Sequence, residues 1–289
     1  MLHDVVVCVH NGHDDVENCL ESLISNWNNG LQRLIIVDDQ SDAAMVSTLS
    51  KFAEGRDFVT IIRLNEQHYY TKAANKGLSE SSADICTLLN SDTIVTQGWD
   101  QRIRATFKAF PQIGIVGPLS NAASTQSLPF VKSSANQTAI NSLPPGVSID
   151  EFAAFVSKEA AGQTFPFVPL VHGFCLSISR KVIETIGYFD EESFPRGYGE
   201  ENDYCFRAED AGFILAIAID TFVYHVKSKS YSTQDRIAFM NAGSKMFAQK
   251  HGSERIRQAI QYMESNPHLQ TMRNAVLAKW PTHYGGLDG

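Results

Sequence analysis

The stretches Val5-Val-Val-Cys-Val-His-Asn-Gly12 and Leu34-Ile-Ile-Val-Asp-Asp39 decide the fold of this chain. Each begins with a short apolar run rich in β-branched residues and ends in polar or turn-forming residues, which is typical of a buried parallel strand. Between them, Leu20, Leu23 and Ile24 recur at helical spacing. The sequence therefore predicts a strand–helix–strand unit at the start of the chain.

The same alternation continues through the first hundred or so residues. Helices are predicted at 44–52 and 71–79, and strands at 59–64, 85–89, 176–179 and 214–219. Strands that alternate with helices predict an α/β fold, a Rossmann-like and mostly parallel central sheet with helices on both faces. The more polar residues 231–289 are predicted to form a C-terminal helical extension.

The periodic pattern weakens between residues 121 and 167. This segment is rich in Ser, Ala, Asn, Gln and Pro, and it includes Pro144-Pro145-Gly146. Because connections of this length are uncommon unless they serve as lids or binding loops, we expect a partly helical excursion over the active face.

Composition excludes several classes of protein. With 289 residues and 43% hydrophobic residues, the chain can bury a sizeable core. The formal charge of −8, without a basic block, argues against nucleic acid as a partner. The five cysteines form no Cys-x-x-Cys pair, which argues against a disulfide framework or a zinc site.

Neither a transmembrane segment nor a signal peptide is expected. Apolar runs stay well short of the roughly 20 residues that cross a bilayer. The opening Met1-Leu-His-Asp4 lacks the positive and apolar regions of a signal peptide. We therefore expect a cytoplasmic protein, with peripheral association at the cytoplasmic face of a membrane left open.

Polar residues follow three of the predicted strands. They are His10-Asn11, Asp38-Asp39 and Asn90-Ser91-Asp92. Because the carboxyl ends of parallel strands meet at one edge of a sheet, the three clusters indicate a single ligand site. An aspartate after a strand is, by itself, more often a turn residue or a helix cap, so each cluster alone is weak.

The order of the motifs resembles family 2 glycosyltransferases over roughly residues 4 to 230. The similar motifs are Val37-Asp-Asp-Gln-Ser41, Lys72-Ala-Ala-Asn-Lys-Gly77, Leu88-Leu-Asn-Ser-Asp92, Gly173-Phe-Cys175, Gly187-Tyr-Phe-Asp190, Gly197-Tyr-Gly-Glu-Glu-Asn-Asp203 and Val223-Tyr-His225. The resemblance implies a GT-A fold and an inverting transfer from a nucleotide-diphosphate sugar to a saccharide or lipid-linked glycan, in the synthesis of a polysaccharide or glycoconjugate. It also implies a divalent cation, Mn²⁺ or Mg²⁺, at the diphosphate.

On the same resemblance, residues 1–230 form the glycosyltransferase domain. Its parts are a nucleotide-sugar-binding half (1–120), a variable loop or lid (121–167) and an acceptor and catalytic half (168–230). Asp39 corresponds to the aspartate that binds the base, usually uracil, which implies a UDP-sugar donor, although a thymidine carrier offers the same pyrimidine edge. The residues expected to bind the nucleotide sugar are Val9, His10, Asn11, Asp38, Asp39, Asn65, Lys72, Asn75, Asn90 and Ser91.

The expected metal ligands are Asp92 and His225. Asn90 departs from the first acid of the family's Asp-x-Asp motif, and its amide cannot supply a negative charge. Asp92 is therefore expected to be the main carboxylate on the metal. Lys227 and Lys229 could meet phosphate oxygens or be ordinary solvated charges.

Three acids at one predicted helix start are the candidates for the catalytic base. Position by position, the resemblance assigns this role to Glu201, with Asp203 and Glu200 in reserve. The bland alternative is that acids simply favour the first turn of a helix. On the acceptor side we expect Gly173 and two aromatic residues, Trp99 and Tyr198, which could stack on a sugar ring.

Two other functions compete with sugar transfer. A sugar nucleotidyltransferase would place a glycine-rich phosphate loop directly after the first strand, whereas Val9-His-Asn-Gly12 stands there. A non-catalytic carbohydrate-binding module would keep the fold without the chemistry. Retention of configuration also stays open because a fold does not decide stereochemistry, but the acidic pair favours inversion.

Overall fold

The computed structural model describes residues 1–134, 137–227 and 233–285. It begins with the predicted strand–helix–strand unit, β1 (His3–Val9), α1 (His13–Ser25) and β2 (Leu31–Asp38). Asn11 and Gly12 both have positive φ angles, 57° and 74°, in the turn that ends β1. Glycine adopts this left-handed backbone without steric cost, and asparagine tolerates it, so the predicted turn forms at this position.

The remaining elements follow in the predicted alternation. The strands are β3 (Val59–Arg63), β4 (Ile85–Asn90), β5 (Thr93–Ile94), β6 (Ile113–Leu119), β7 (Cys175–Ser179), β8 (Ile214–Phe222) and β9 (Tyr224–His225). The helices are α2 (Ala43–Ala53), α3 (Tyr69–Glu80), α4 (Trp99–Ala109), α5 (Ile149–Glu159), α6 (Arg180–Ile186), α7 (Glu200–Asp210), α8 (Thr233–His251), α9 (Ser253–Ser265), α10 (Pro267–Lys279) and α11 (Pro281–Tyr284). A short 3₁₀ turn spans Ser124–Gln126.

Seven strands form the central sheet, in the order β3-β2-β1-β4-β7-β6-β8. β7 pairs antiparallel with both β4 and β6, and the other pairs are parallel. Alternate side chains of β1 enter different cores, because Val6 joins one hydrophobic cluster while Val5 and Val7 join the other. The predicted α/β class, with helices on both faces of a mostly parallel sheet, is confirmed.

A second, two-stranded sheet pairs β5 with β9, and Thr93 lies opposite His225. The pairing continues one step further, where the Val226 amide donates to the carbonyl of Asp92 at 2.9 Å. The end of the chain's last strand is thereby tied to the residues that follow β4.

The segment 121–167 is less exposed than its composition suggests. Asn121, Gln126 and Leu128 are buried, with at most 1% of each side chain exposed. Periodicity fails here because polar side chains form part of the interior and bond to the backbone; Gln126 Nε2, for example, donates to the Pro118 carbonyl at 2.6 Å. A lid function for this segment stays a prediction.

The predicted C-terminal helical extension is present as α8 to α11. Trp280, which links α10 to α11, stacks on Phe152 of α5 at 5.1 Å between ring centroids, with the planes 15° apart. None of the helices in the described ranges has the length and apolar character needed to cross a membrane.

Candidate active site

Asp39 connects the end of β2 to the start of α3. One carboxylate oxygen accepts from the His68 amide at 2.6 Å, and the other accepts from the Tyr69 amide at 2.8 Å. An ionised carboxylate has about four acceptor positions, so two bonds leave capacity for a ligand. Asp39 is thus buried, oriented by backbone and able to accept a further N–H group.

His10 and Asn11 join the ends of β1 and β2. His10 Nδ1 bonds the Asp39 carbonyl at 2.7 Å; because a carbonyl only accepts, Nδ1 carries the proton. The Asn11 side-chain oxygen accepts from the backbone amide of Asp42 at 2.8 Å, and the backbone amide of Asn11 donates to Ser41 Oγ at 2.9 Å. Both predicted residues therefore shape the loop edge beside Asp39.

Two predicted donor-binding side chains also help to hold the fold together. Asp38 accepts from the Arg63 guanidinium and from the Ser41 amide, and it is 1% exposed. Asn75 bonds both the amide and the carbonyl of Phe189, each at 2.9 Å. These side chains brace the sheet edge, and their contact with a nucleotide sugar stays a prediction.

The other predicted donor residues lie around the same edge. Val9 is buried, and its carbonyl accepts from the Asp39 amide at 2.8 Å. Asn90 and Ser91 are half-buried at the end of β4, whereas Asn65 and Lys72 are exposed. Contact of these five residues with a nucleotide sugar stays a prediction.

Asp92 and His225, the two predicted metal ligands, meet in the structure. His225 Nε2 lies 3.2 Å from Asp92 Oδ1. His225 Nδ1 bonds the Ala122 carbonyl at 3.0 Å, which places a proton on Nδ1 and leaves Nε2 facing Asp92. The imidazole is also stacked on Phe174, with centroids 5.5 Å apart.

Asn121 positions this histidine, and the sequence reasoning did not single it out. Its side chain accepts from the His225 amide at 2.8 Å and donates to the His225 carbonyl at 3.1 Å, across 104 residues of chain. Asn121 follows β6 as the polar clusters follow other strands. That signal could have identified it.

The Asp92–His225 pair fits a divalent cation only in part. Two neighbouring ligands of a six-coordinate ion bound at about 2.1 Å stand about 3 Å apart, close to the observed separation. Across the described residues, however, no three His, Cys, Asp or Glu side chains gather into a group that could hold a metal ion. An ion held here needs further oxygen ligands from a bound molecule, such as a diphosphate.

Gly173 and Glu201 lie beside this pair. The Asn90 amide donates to the Phe174 carbonyl at 2.9 Å, so the start of β7 reaches the carboxyl edge of β4. A Cβ atom at Gly173 would lie 3.4 Å from Cβ and Cγ of Glu201, so the glycine allows the acid to pack closely. Burial raises the pKa of Glu201, and the positive charge of Lys227 opposes that rise. Lys229 lies outside the described residues.

Glu200 differs from its neighbour. It is 5% exposed, and its Oε2 has no hydrogen-bond partner among the described residues. Burial and the charge of Glu201 raise the pKa of Glu200 well above its ordinary value. Burial without a partner therefore disfavours the ionised form of Glu200, and the charge of one acid opposes ionisation of the other.

Asp203, the reserve candidate for the base, is bonded to three basic side chains. Its carboxylate accepts from Arg207 Nε at 2.8 Å, Lys250 Nζ at 2.7 Å and His251 Nε2 at 2.8 Å. Burial acts to raise its pKa, but these three bonds outweigh it and lower the pKa. A fully buried, strongly ionised and bonded carboxylate is a poor proton acceptor, which corrects its predicted catalytic role.

The two predicted aromatic residues have different surroundings. Trp99 has no exposed surface and packs 5.7 Å from the His3 ring, so it cannot stack on a sugar, and its predicted role is corrected. Tyr198 is half-buried in a strained loop with a φ of 64°. A Cβ at Gly243 of α8 would lie 1.6 Å from the Tyr198 carbonyl oxygen, so only a glycine lets α8 pack on this loop.

A model of the protein family described as "Glycosyl transferase family 2" matches residues 4–187. The low-salt glycan biosynthesis hexosyltransferase Agl10 of Haloferax volcanii is 27% identical over 214 residues, which are 72% of this chain and 62% of that protein. The chain spans between 26% and 62% of the length of such curated relatives.

Solved structures share the fold. The mannosyltransferase PcManGT from Pyrobaculum calidifontis, in complex with GDP-Man and Mn²⁺, has a TM-score of 0.61 at 17% identity, covering 97% of this chain and 75% of its own. GalNAc-T7 with UDP, GalNAc and Mn²⁺ has a TM-score of 0.64 at 13% identity, covering 100% of this chain and 57% of its own. The predicted GT-A fold is confirmed, and, on the match to the family model, the chain belongs to glycosyl transferase family 2.

Proposed function

We propose that this chain transfers a sugar from a UDP-sugar to a hydroxyl group of a saccharide or lipid-linked glycan, with inversion at the anomeric carbon. One observation carries the proposal: an oriented carboxylate at the end of β2, the Asp92–His225 pair and a half-buried acid on α7 all border one edge of the sheet. That edge is where open α/β sheets bind ligands.

Asp39 supports recognition of the nucleotide base. Its free acceptor capacity suits the N–H group of a pyrimidine such as uracil. GalNAc-T7 was solved with UDP, whereas PcManGT was solved with GDP-Man. The carrier is therefore the first point that an experiment should address.

The Asp92–His225 pair supports a divalent cation, Mn²⁺ or Mg²⁺, that would be completed by diphosphate oxygens. Bound there, the ion would neutralise charge on the departing diphosphate. The chain's own contribution is orientation: the Ala122 carbonyl fixes the histidine tautomer, and Asn121 fixes the backbone of the same residue. PcManGT and GalNAc-T7 were both solved with Mn²⁺.

Glu201 is the proposed base. Inverting transfer needs a group that takes the proton from the acceptor hydroxyl as it attacks the anomeric carbon. Glu201 is half-buried and lies against Gly173, next to the residue that supports His225. Neither Glu200, which is buried, nor Asp203, which is buried and bonded to three side chains, has this combination.

Titration calorimetry with UDP, with and without Mn²⁺, tests the donor site. We expect wild-type binding to depend on the metal and Asp92→Ala to lose that dependence. The control Asp57→Ala, an exposed acid before β3, should bind as the wild type does. Binding of GDP or dTDP in place of UDP would overturn the assignment of UDP as the carrier. If no nucleotide binds under any condition, the non-catalytic module becomes the better interpretation.

A further inference from the structure

His172 precedes Gly173 and has no part in the proposed function so far. Two side chains of the turn Ser124–Gln126 hold it. The His172 amide donates to Gln126 Oε1 at 2.6 Å, and its ring Nε2 bonds Thr125 Oγ1 at 3.0 Å. Because Gln126 is fully buried and is itself bonded to the sheet, both the backbone and the ring of His172 are fixed.

His172 is linked to the candidate base through the next residue, Gly173. Its neighbour Gly173 packs against Glu201, and the Lys227 ammonium acts electrostatically on both His172 and Glu201. Burial, and then the charge of Lys227, lower the pKa of His172 to about 4. The ring is therefore neutral at physiological pH. With Nε2 bonded to Thr125, its Nδ1 can pair with a hydroxyl group.

The turn that holds His172 is itself held by the C-terminal extension. Arg273 of α10 donates from Nη2 to the Thr125 carbonyl at 2.5 Å, across 148 residues of chain. Arg273 is only 5% exposed. Burying a guanidinium with few hydrogen-bond partners costs free energy. The bond from Arg273 to Thr125 offsets part of that cost and ties α10 to the turn. The family match ends at residue 187, so this contact comes from outside the matched region.

We infer that His172 binds the saccharide acceptor beside the attacking hydroxyl, and that Arg273 and Thr125 are positioning residues that hold it there. This inference rests on the proposed function. It assigns the C-terminal extension a part in acceptor selection, since α10 determines where the imidazole lies.

Kinetics with separate donor and acceptor measurements test the inference. The probes are the UDP-sugar from which the wild type releases UDP fastest in water, and the simple glycoside that most accelerates that release. For His172→Phe we expect the acceptor KM to rise about tenfold, the scale of one lost hydrogen bond. UDP affinity and UDP release in water should stay unchanged, and His172→Asn, which keeps a polar group near Nδ1, should recover most of the loss.

Two variants test the positioning chain. Thr125→Val removes only the hydroxyl, and Arg273→Met keeps the aliphatic stem; each should raise the acceptor KM about threefold while UDP affinity stays unchanged. The control Arg257→Met removes an exposed arginine of α9 that pairs with Glu254, and it should change nothing. Thermal unfolding shows whether each variant is folded, and Thr125→Val serves if Arg273→Met is not.

An unchanged acceptor KM in His172→Phe overturns the inference, and so does an equal loss of UDP affinity, which would place the ring on the donor side. Failure of the proposed function has a different signature. In that case the wild type itself binds no nucleotide and releases no UDP. If only the inference fails, the wild type is active and the variants have the same acceptor KM as the wild type.

Discussion

The donor side and the acceptor side of the site are built differently. On the donor side, Asp39 and Asp92 directly follow β2 and β4, and the parallel sheet alone brings them to one edge. On the acceptor side, Glu201 lies against Gly173, and its helix is held by α8. Asp39 and Asp92 are therefore placed by local succession along the chain, whereas Glu201 is placed by contacts between distant segments.

The acceptor side also separates three acids that stand within four residues. Glu200 is buried without a partner for Oε2 among the described residues, Glu201 is half-buried, and Asp203 is bonded to Arg207, Lys250 and His251. The same residue type therefore has different chemistry one or two positions apart, because each side chain enters a different environment.

The largest effect is expected for Glu201→Gln. Loss of a general base should lower kcat by roughly 10²- to 10⁴-fold, while UDP affinity stays unchanged because the donor side is intact. UDP release with acceptor present and UDP calorimetry measure the two quantities. A variant with wild-type kcat would remove Glu201 from the mechanism.

Asp203→Asn should act on stability. It removes the charge of a fully buried carboxylate that bonds the partly exposed Arg207 and Lys250, and we expect a loss of about 2 kcal/mol in the free energy of unfolding in urea. Glu209→Gln, on the same helix, breaks an exposed pair with Arg255 and should cost under about 1 kcal/mol. If Asp203→Asn kept wild-type stability and lost kcat as Glu201→Gln does, Asp203 would be the base.

The pH dependence of kcat/KM tests the environment of Glu201 separately from the donor side. The base acts in its ionised form, so kcat/KM falls as pH drops through the pKa of Glu201. Because burial raises that pKa, the fall should begin above the value of about 4.3 for a free glutamate. Initial rates across pH measure it, with UDP affinity as the control for the donor side. If kcat/KM fell only at or below the pKa of a free glutamate, that result would contradict the buried environment of Glu201.

The smallest effect is expected for Trp99→Phe. Trp99 belongs to the core, and a large apolar replacement should cost under about 1.5 kcal/mol in unfolding free energy. UDP affinity and acceptor KM should stay at wild-type values. A clear rise in acceptor KM would mean that the indole reaches a sugar after all.

Much of the fold could be predicted because the signals are local. Apolar runs that end in polar residues located β1, β2 and β4, and their parallel succession placed Asp39 and Asp92 at one edge. The family motifs extended that prediction to the fold class and family, which are confirmed. The division into domains, the cytoplasmic location and the lid at residues 121–167 stay predictions.

By itself, then, the sequence determined the strand–helix alternation and the strand ends, since side-chain periodicity and turn residues act over a few positions. The tertiary structure alone brought Asp92 to His225, added Lys250 and His251 of α8 to the partners of Asp203, and buried Trp99. The physical reason is burial and pairing between segments far apart in the chain, which set the exposure and charge of a residue and leave no mark in its immediate neighbours.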